Sequence, residues 1–270
     1  MFARILLVTA LSLWLIPAAI ASDLTTGNPG ASQDANKAEA KAPGEIELAL
    51  ADIGTGSADE IKSRLFNRSI TVFSTEFRAQ AVEAFTGSIG QFRIIEGKLF
   101  RRVEKIFSQV LQLHGLSGKR ELFLFQDEIP KAMLWRGCVL AISNGLADPL
   151  SDDELAAIMA HELGHSYFED EMASARKTMN ARAMKVVELK CDAVAILSLI
   201  SLDRDPTLYL RALKRIGEIN RRKGRSYSIF QSHPDPFERA LFSQRFIRSL
   251  RSAEIGFLNN SCRKREKPLV

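Results

Sequence analysis

The chain has 270 residues, of which 46% are apolar and 26% are charged. This length and composition are typical of a globular protein with one or two domains, and they exclude collagen-like and wholly disordered proteins. The net charge of +5 is small, so it does not by itself indicate binding to nucleic acid.

The first 21 residues have the features of a secretory signal peptide. Arg4 precedes an apolar run from Ile5 to Ile16, and small residues at 19 and 21 favour cleavage before Ser22. An uncleaved membrane anchor is the alternative, but a run of 12 residues is short for a span of about 20. No later stretch is apolar over that length. The sequence therefore predicts a soluble protein that is exported, either periplasmic or secreted.

Composition divides the chain after this segment. Residues 22–58 hold six acidic residues and two lysines in a stretch rich in Ala, Gly, Ser and Asn, which predicts a flexible linker or pro-like arm. Residues 59–252 are predicted to form one domain, and residues 253–270 a basic tail. The chain has three cysteines, which in an oxidising compartment could form one disulfide and leave one thiol: Cys138, Cys191 and Cys262.

Apolar periodicity predicts an α+β domain that is mostly helical. The predicted strands are a short β-prone piece at Ile70–Phe73, then Glu121–Phe125 and Leu134–Ile142. The predicted helices are Thr75–Phe85, Glu96–Leu113, one from Ser151 to about Phe168, Glu171–Leu202, Pro206–Asn220 and one that starts at Asp235–Pro236.

A metal-binding motif lies in the helix that starts with the capping-box pattern at 151–154. His161 and His165 are four residues apart, so both imidazoles lie on one helix face and can hold a single metal ion. Glu162 lies about 100° around the helix, where it can reach a water at the metal but is poorly placed as a ligand. The alternative is a pair of surface histidines on an amphipathic helix.

A catalytic zinc site needs a third protein ligand. Glu188 and Asp192 are four residues apart in a later helix, among apolar residues that favour burial. Glu188 can therefore bind the metal while Asp192 accepts the ring N–H of a ligand histidine. Cys191 is the competing ligand, but it lies about 300° beyond Glu188 on the helix and would leave that acid unexplained.

Other candidate residues are suggested only by what a catalytic site would need. His233 could donate to a developing oxyanion, although an isolated histidine before a proline is more often a surface residue. Arg239 could pair with Asp192, in competition with two other arginines of the same helix. His114 is predicted to be a cap-region or surface histidine, because it precedes a glycine at a helix end.

Three motifs together resemble the M48 family of zinc metallopeptidases. They are HELGH at 161–165, ELKCD at 188–192 and SHPDPFER at 232–239, in the family's order, and the resemblance spans about residues 122–250. It implies a zincin-like metallopeptidase domain with a small β-sheet whose edge strand precedes the HExxH helix. The chain has no transmembrane helices of the kind found in the best-known members, so it is similar to the exported, soluble branch.

The resemblance also implies roles for particular residues. One zinc ion would be held by His161, His165 and Glu188, with Glu162 as the general base. Asp192 would support a ligand histidine. His233 and Arg239 would have a paired role, in which the histidine faces the substrate carbonyl and the arginine braces the Asp192 side of the site.

We therefore predict a zinc-dependent endopeptidase that hydrolyses protein substrates in the cell envelope, with a role in protein quality control. The substrate peptide could add to the strand before the active helix as a further strand. One alternative is an exported chaperone-like binding protein with a structural zinc site, and another is a zinc amidase acting on cell-wall material. The expected partner is a polypeptide substrate, with no nucleic acid and no integral membrane span. A basic surface would also allow peripheral contact with anionic lipids.

Overall fold

The computed structural model describes residues 43–89, 92–224 and 234–265, with side chains described up to residue 253. The described residues fall in one compact unit that begins at Pro43. The predicted signal peptide and most of the predicted arm lie outside the described residues. Within the described parts of the chain, no helix combines the length and apolarity needed to cross a bilayer.

The described chain is mostly helical, with one small sheet, as the sequence predicts. The helices are α1 (Glu45–Ile53), α2 (Ala58–Phe66), α3 (Thr75–Ile89), α4 (Gly97–Leu113), α5 (Asn144–Ala147), α6 (Asp152–Gly164), α7 (Glu169–Lys177), α8 (Ala181–Ser201), α9 (Leu208–Arg222) and α10 (Pro236–Arg265). The strands are β1 (Glu121–Phe125), β2 (Ala132–Trp135) and β3 (Val139–Ser143). A 3-10 turn, His165–Tyr167, follows α6.

The sheet has the order β1-β3-β2, with β3 parallel to β1 and antiparallel to β2. β3 therefore lies in the middle, and β2 is an edge strand. The prediction of one strand over Leu134–Ile142 is wrong, because this segment forms parts of two strands, β2 and β3. A turn at Arg136 and Gly137, both with positive φ, divides it into a hairpin, and the glycine is the residue that favours such a conformation.

Both faces of the sheet are covered, which explains why the four residues of β1 that follow Glu121 are all apolar. Leu122 and Leu124 point into the main core, which also contains residues of α4, α6 and α8. Phe123 and Phe125 point the other way into a second cluster, where Phe85 of α3 packs on them. The predicted β-prone piece at 70–73 forms no strand and leads into α3.

The prediction of a flexible linker over 22–58 is wrong for residues 45–53, which form the helix α1. α1 packs against α8 and buries Ala49 and Ile53 completely or nearly so. Asp52 of α1 forms an ion pair with Lys190 of α8, in which its Oδ2 lies 2.5 Å from Nζ of the lysine. The lysine side chain is buried. The compact unit therefore includes this short helix, whose apolar period is too brief to be evident in the sequence.

Two helix boundaries also differ from the predictions. The long helix expected over Glu171–Leu202 is broken at residues 178–180, where Met179 has a φ of 51° and Asn180 caps α8 by accepting from the Ala183 N–H. At the other end of the chain, α10 continues to Arg265, so the segment predicted as a tail is helical over most of its length.

Candidate metal centre

The helix that holds the HELGH motif starts where the sequence predicts. Ser151 accepts from the Glu154 N–H, and the Glu154 carboxylate accepts from the Ser151 N–H, which completes the capping box. α6 ends at Gly164, earlier than the predicted end near Phe168. His161 lies in its last turn and His165 at its C-cap, so the two imidazoles remain one turn apart, with ring centroids separated by 5.4 Å.

α8 packs against α6 and contributes the carboxylate. Glu188 lies 3.4 Å from Nε2 of His161 and 3.7 Å from Nε2 of His165. One ligand atom from each of the three residues can be chosen so that all lie within 4.8 Å of one another. Two imidazole nitrogens and a carboxylate oxygen are donors that zinc accepts, so the residues fit a catalytic metal site with an open position.

The other ring nitrogen of His161 faces Asp192. Oδ1 of Asp192 lies 2.9 Å from Nδ1 of His161, and this carboxylate is fully buried. It is also bonded to Arg239, whose Nη2 lies 2.6 Å from Oδ1 and whose Nε lies 3.1 Å from Oδ2. The structure thus brings Arg239 and Asp192 together, as predicted. The competing Arg245 pairs with Glu47 on α1.

Tyr209 of α9 is part of this cluster, and the sequence analysis missed it. Its ring is fully buried, and its hydroxyl contacts Nδ1 of His161, Oδ1 of Asp192 and Nη2 of Arg239. Its position in the sequence carries no metal motif. The only available signal is a tyrosine at an apolar position of an amphipathic helix, where its hydroxyl needs a polar partner.

The carboxylates make the site favourable to a cation. Burial and the charge of Arg239 lower the pKa of His161, but hydrogen bonds with Asp192 and Glu188 outweigh them and raise it to about 9. Burial raises the pKa of Asp192, but the charge of Arg239 and hydrogen bonds from His161 and Arg239 outweigh it and lower the pKa. Asp192 therefore stays ionised, and both acids stabilise positive charge at His161.

His165 is in a different environment. Burial lowers its pKa, although the charges of Glu188 and Glu162 act in the opposite direction. The imidazole is therefore neutral near pH 7, which is the form that binds a metal. Its Nδ1 lies 3.5 Å from Sγ of Cys191, so the thiol contacts the ring on the side away from Glu188. Burial raises the pKa of the Cys191 thiol well above its usual value.

The remaining predicted residues have mixed outcomes. Glu162 is half-buried on α6 between the two histidines in sequence. His233 lies outside the described residues. Cys138 and Cys191 are both buried with free thiols, so they do not form a disulfide with each other, and Cys262 lies beyond the described side chains.

His114 is the C-cap residue of α4, but the expectation of a surface position is wrong. The ring is buried, with Nδ1 2.7 Å from the Tyr167 hydroxyl and Nε2 3.0 Å from the Ser198 hydroxyl. It connects α4, the 3-10 turn and α8 beside the candidate site and does not take part in the metal cluster.

The family model described as Peptidase family M48 matches residues 98–195, which confirms the resemblance inferred from the motifs. The match runs from α4 to α8 and contains the HELGH and ELKCD motifs. It begins earlier than the resemblance inferred from the sequence and ends before the third motif at 232–239. No curated protein matches the chain.

Proposed function

We propose that this protein is a zinc-dependent endopeptidase acting on protein substrates, because the match of residues 98–195 to peptidase family M48 supports a metallopeptidase. We place its activity in the cell envelope, where it would remove damaged or misfolded proteins, because the N-terminal sequence has the features of an export signal. A polypeptide is the substrate that the family relationship favours over cell-wall material.

The observation that carries the proposal is the convergence of His161, His165 and Glu188 from two packed helices. No fourth histidine, cysteine or acid joins this group among residues 43–89, 92–224 and 234–253, the residues whose side chains the structure describes. Cys191, the rival ligand, contacts the ring nitrogen of His165 that faces away from the cluster. This donor set supports a catalytic site over a structural one, because structural zinc sites use four protein ligands.

When bound, zinc would activate the attacking water and polarise the substrate carbonyl. His161 and His165 would bind it through Nε2, and Glu188 through its carboxylate. Glu162 would take a proton from the attacking water and pass it to the leaving amine, which is the general acid–base role of a half-buried carboxylate beside the ligands. Asp192 would hold the Nδ1–H of His161, which leaves Nε2 free to bind.

Two further residues would support the reaction, one at the substrate and one at Asp192. We propose that His233 donates to the carbonyl oxygen as charge develops there, as the family resemblance implies. Arg239 would keep Asp192 ionised and in place, because it donates to both oxygens of that carboxylate.

The substrate would bind along β2. This strand is an edge of the sheet, and it packs beside α6, which holds the metal ligands. An extended peptide could therefore continue the sheet and pass in front of the site, with recognition mainly through main-chain hydrogen bonds. Such binding predicts weak sequence selectivity. A peptide complex in which the substrate lies away from β2 would contradict this part of the proposal.

The test separates peptide hydrolysis from a zinc-binding chaperone. Glu162→Gln should retain wild-type zinc content but lose nearly all cleavage of casein or of a peptide library, because the general base is removed. Glu104→Gln, an exposed glutamate of α4, is the matched control and should behave as the wild type. If wild-type protein with a full zinc complement prevents aggregation of a client protein but cleaves nothing, the chaperone alternative replaces the peptidase.

A further inference from the structure

We propose that Tyr209 is a positioning residue for the ligand His161, an inference that rests on the proposed metal site. Tyr209 comes from α9, outside the segment that matches the family and outside all three sequence motifs. Its side chain is fully buried, so it touches neither solvent nor a substrate in the cleft. Its hydroxyl nevertheless contacts Nδ1 of His161 and the two groups that face this nitrogen, the Asp192 carboxylate and the Arg239 guanidinium.

The donors and acceptors in this cluster allow one assignment. Arg239 has only donors, so its contact with the Tyr209 hydroxyl uses the hydroxyl oxygen as acceptor. The hydroxyl hydrogen is then available for Oδ1 of Asp192, which is ionised and can only accept. Tyr209 therefore links the guanidinium to the carboxylate and makes no competing donation to His161.

This assignment determines the tautomer of His161. Since Asp192 can only accept, the proton between them belongs to Nδ1 of the histidine, at a separation of 2.9 Å. In the neutral form of the ring, which is the form that binds a metal, Nε2 then carries the lone pair that faces Glu188 and the metal position. The aromatic ring of Tyr209 also lies nearly parallel to the imidazole, with an interplanar angle of 19°, which restricts tilting of the ligand.

Removal of the hydroxyl would loosen this arrangement in two ways. Oδ1 of Asp192 would lose one of its donors, and Nη2 of Arg239 would lose an acceptor. Nη2 of Arg239 already lies 3.3 Å from Nδ1 of His161, and without the hydroxyl it would be free to move closer. Both nitrogens carry hydrogen, so this approach would be repulsive. The loss of the hydroxyl would therefore disturb the orientation of the His161 ring.

α9 is held firmly enough to serve this purpose. One turn beyond Tyr209, Ala212 is buried against the core. Further along, Arg215 donates to the carbonyl of Pro149 at 2.6 Å and lies 3.6 Å from the carboxylate of Glu154. Because Glu154 caps the N-terminus of α6, α9 contacts the helix of the HELGH motif at both of its ends.

The experiment compares Tyr209→Phe with Tyr167→Phe. Tyr167 is a suitable control, because its buried hydroxyl also contacts a histidine ring, that of His114, at 2.7 Å, but reaches no candidate metal ligand. Zinc affinity is measured on the full chain by competition with a chelator of known affinity. The fall in zinc affinity expected for Tyr209→Phe is about 10- to 100-fold, whereas Tyr167→Phe should bind zinc as tightly as the wild type.

Kinetics at saturating zinc give a second measurement. If Tyr209 positions the ligand, the kcat for a peptide should fall while KM stays within about twofold, because the buried ring does not meet the substrate. Unfolding experiments should show that both variants fold, with a larger stability loss for Tyr209→Phe, since its hydroxyl bonds to charged groups whereas that of Tyr167 bonds to a neutral imidazole.

The possible results separate this inference from the proposed function. Equal zinc affinity of Tyr209→Phe and Tyr167→Phe would overturn the positioning role even if the wild type is an active peptidase. A selective loss of zinc affinity in Tyr209→Phe would support it even if no peptide is cleaved. If Tyr209→Phe fails to fold while Tyr167→Phe folds, the hydroxyl serves stability and the proposal is wrong. A wild type that binds no zinc would overturn both.

Discussion

A methyl group built on Gly164 would lie 3.1 Å from the Cα of Cys191. This glycine is the last residue of α6, directly before His165, and Cys191 lies beside Asp192 in α8. The two helices therefore pack closely beside the candidate ligands, with no room for a side chain at residue 164. The absence of a side chain at 164 allows Glu188 to reach both imidazoles, so the HELGH glycine contributes to the geometry of the site and to packing.

Gly164→Ala should weaken both stability and zinc binding. The methyl group would meet the backbone of a buried helix, and the overpacking should cost about 1–3 kcal/mol of unfolding free energy. Gly87→Ala is the control, because it lies in the exposed part of α3 with nothing within 4 Å, and it should be neutral or stabilising by up to about 1 kcal/mol. Urea unfolding and chelator competition measure the two effects. If Gly164→Ala and Gly87→Ala had the same unfolding free energy and the same zinc affinity, α6 and α8 would be able to move apart without loss of stability.

Asp192→Asn should lower zinc affinity by about 10- to 100-fold, with a parallel loss of activity. The amide keeps the shape of the side chain but removes the charge that holds the His161 N–H and balances Arg239. Asp59→Asn, which removes an exposed acid paired with Lys62 on α2, is the matched control and should leave zinc affinity unchanged. A normal zinc affinity in Asp192→Asn would show that the carboxylate is not needed to orient the ligand.

A chain that begins at Asp59 should be less stable than one that begins at Pro43. The shorter chain lacks α1, so it loses the buried side chains of Ala49 and Ile53 and the ion pair of Asp52 with Lys190. The expected loss is roughly 2–4 kcal/mol in the free energy of unfolding. Urea unfolding of the two chains measures it. Identical midpoints would mean that α1 is a passive attachment, and higher peptidase activity of the shorter chain would show that this segment inhibits the site.

His114 should make stability fall in acid. Burial lowers its pKa to about 4, from about 6.5 in the unfolded chain, so the unfolded state binds a proton first as the pH falls. The stabilisation is complete above about pH 6.5 and is lost progressively toward pH 4, with a total of about 3 kcal/mol. His114→Gln should therefore lose about 2 kcal/mol less than the wild type between pH 7.5 and 4.5 in urea unfolding. Parallel losses in both proteins would exclude this linkage.

The sequence was informative where local rules apply. The capping box at 151–154 and the apolar period predicted α6 and α4, because these signals depend on neighbouring residues along the chain. The spacing of four residues placed His161 and His165 on one helix face, and the same spacing joined Glu188 to Asp192. Prediction was weaker where backbone conformation changed within an apolar run, as at the hairpin turn of Arg136.

The tertiary structure alone decided which distant groups meet. Three arginines on one helix were equivalent as partners for Asp192 in the sequence, and only the packing of α10 brings Arg239 to it while Arg245 meets α1. The sequence indicates only that Tyr209 lies at an apolar helix position, and it does not identify the partners of its hydroxyl, because these depend on how α9 packs against α6. Spacing along a helix is a local property of the chain, whereas contacts between helices depend on how whole surfaces pack.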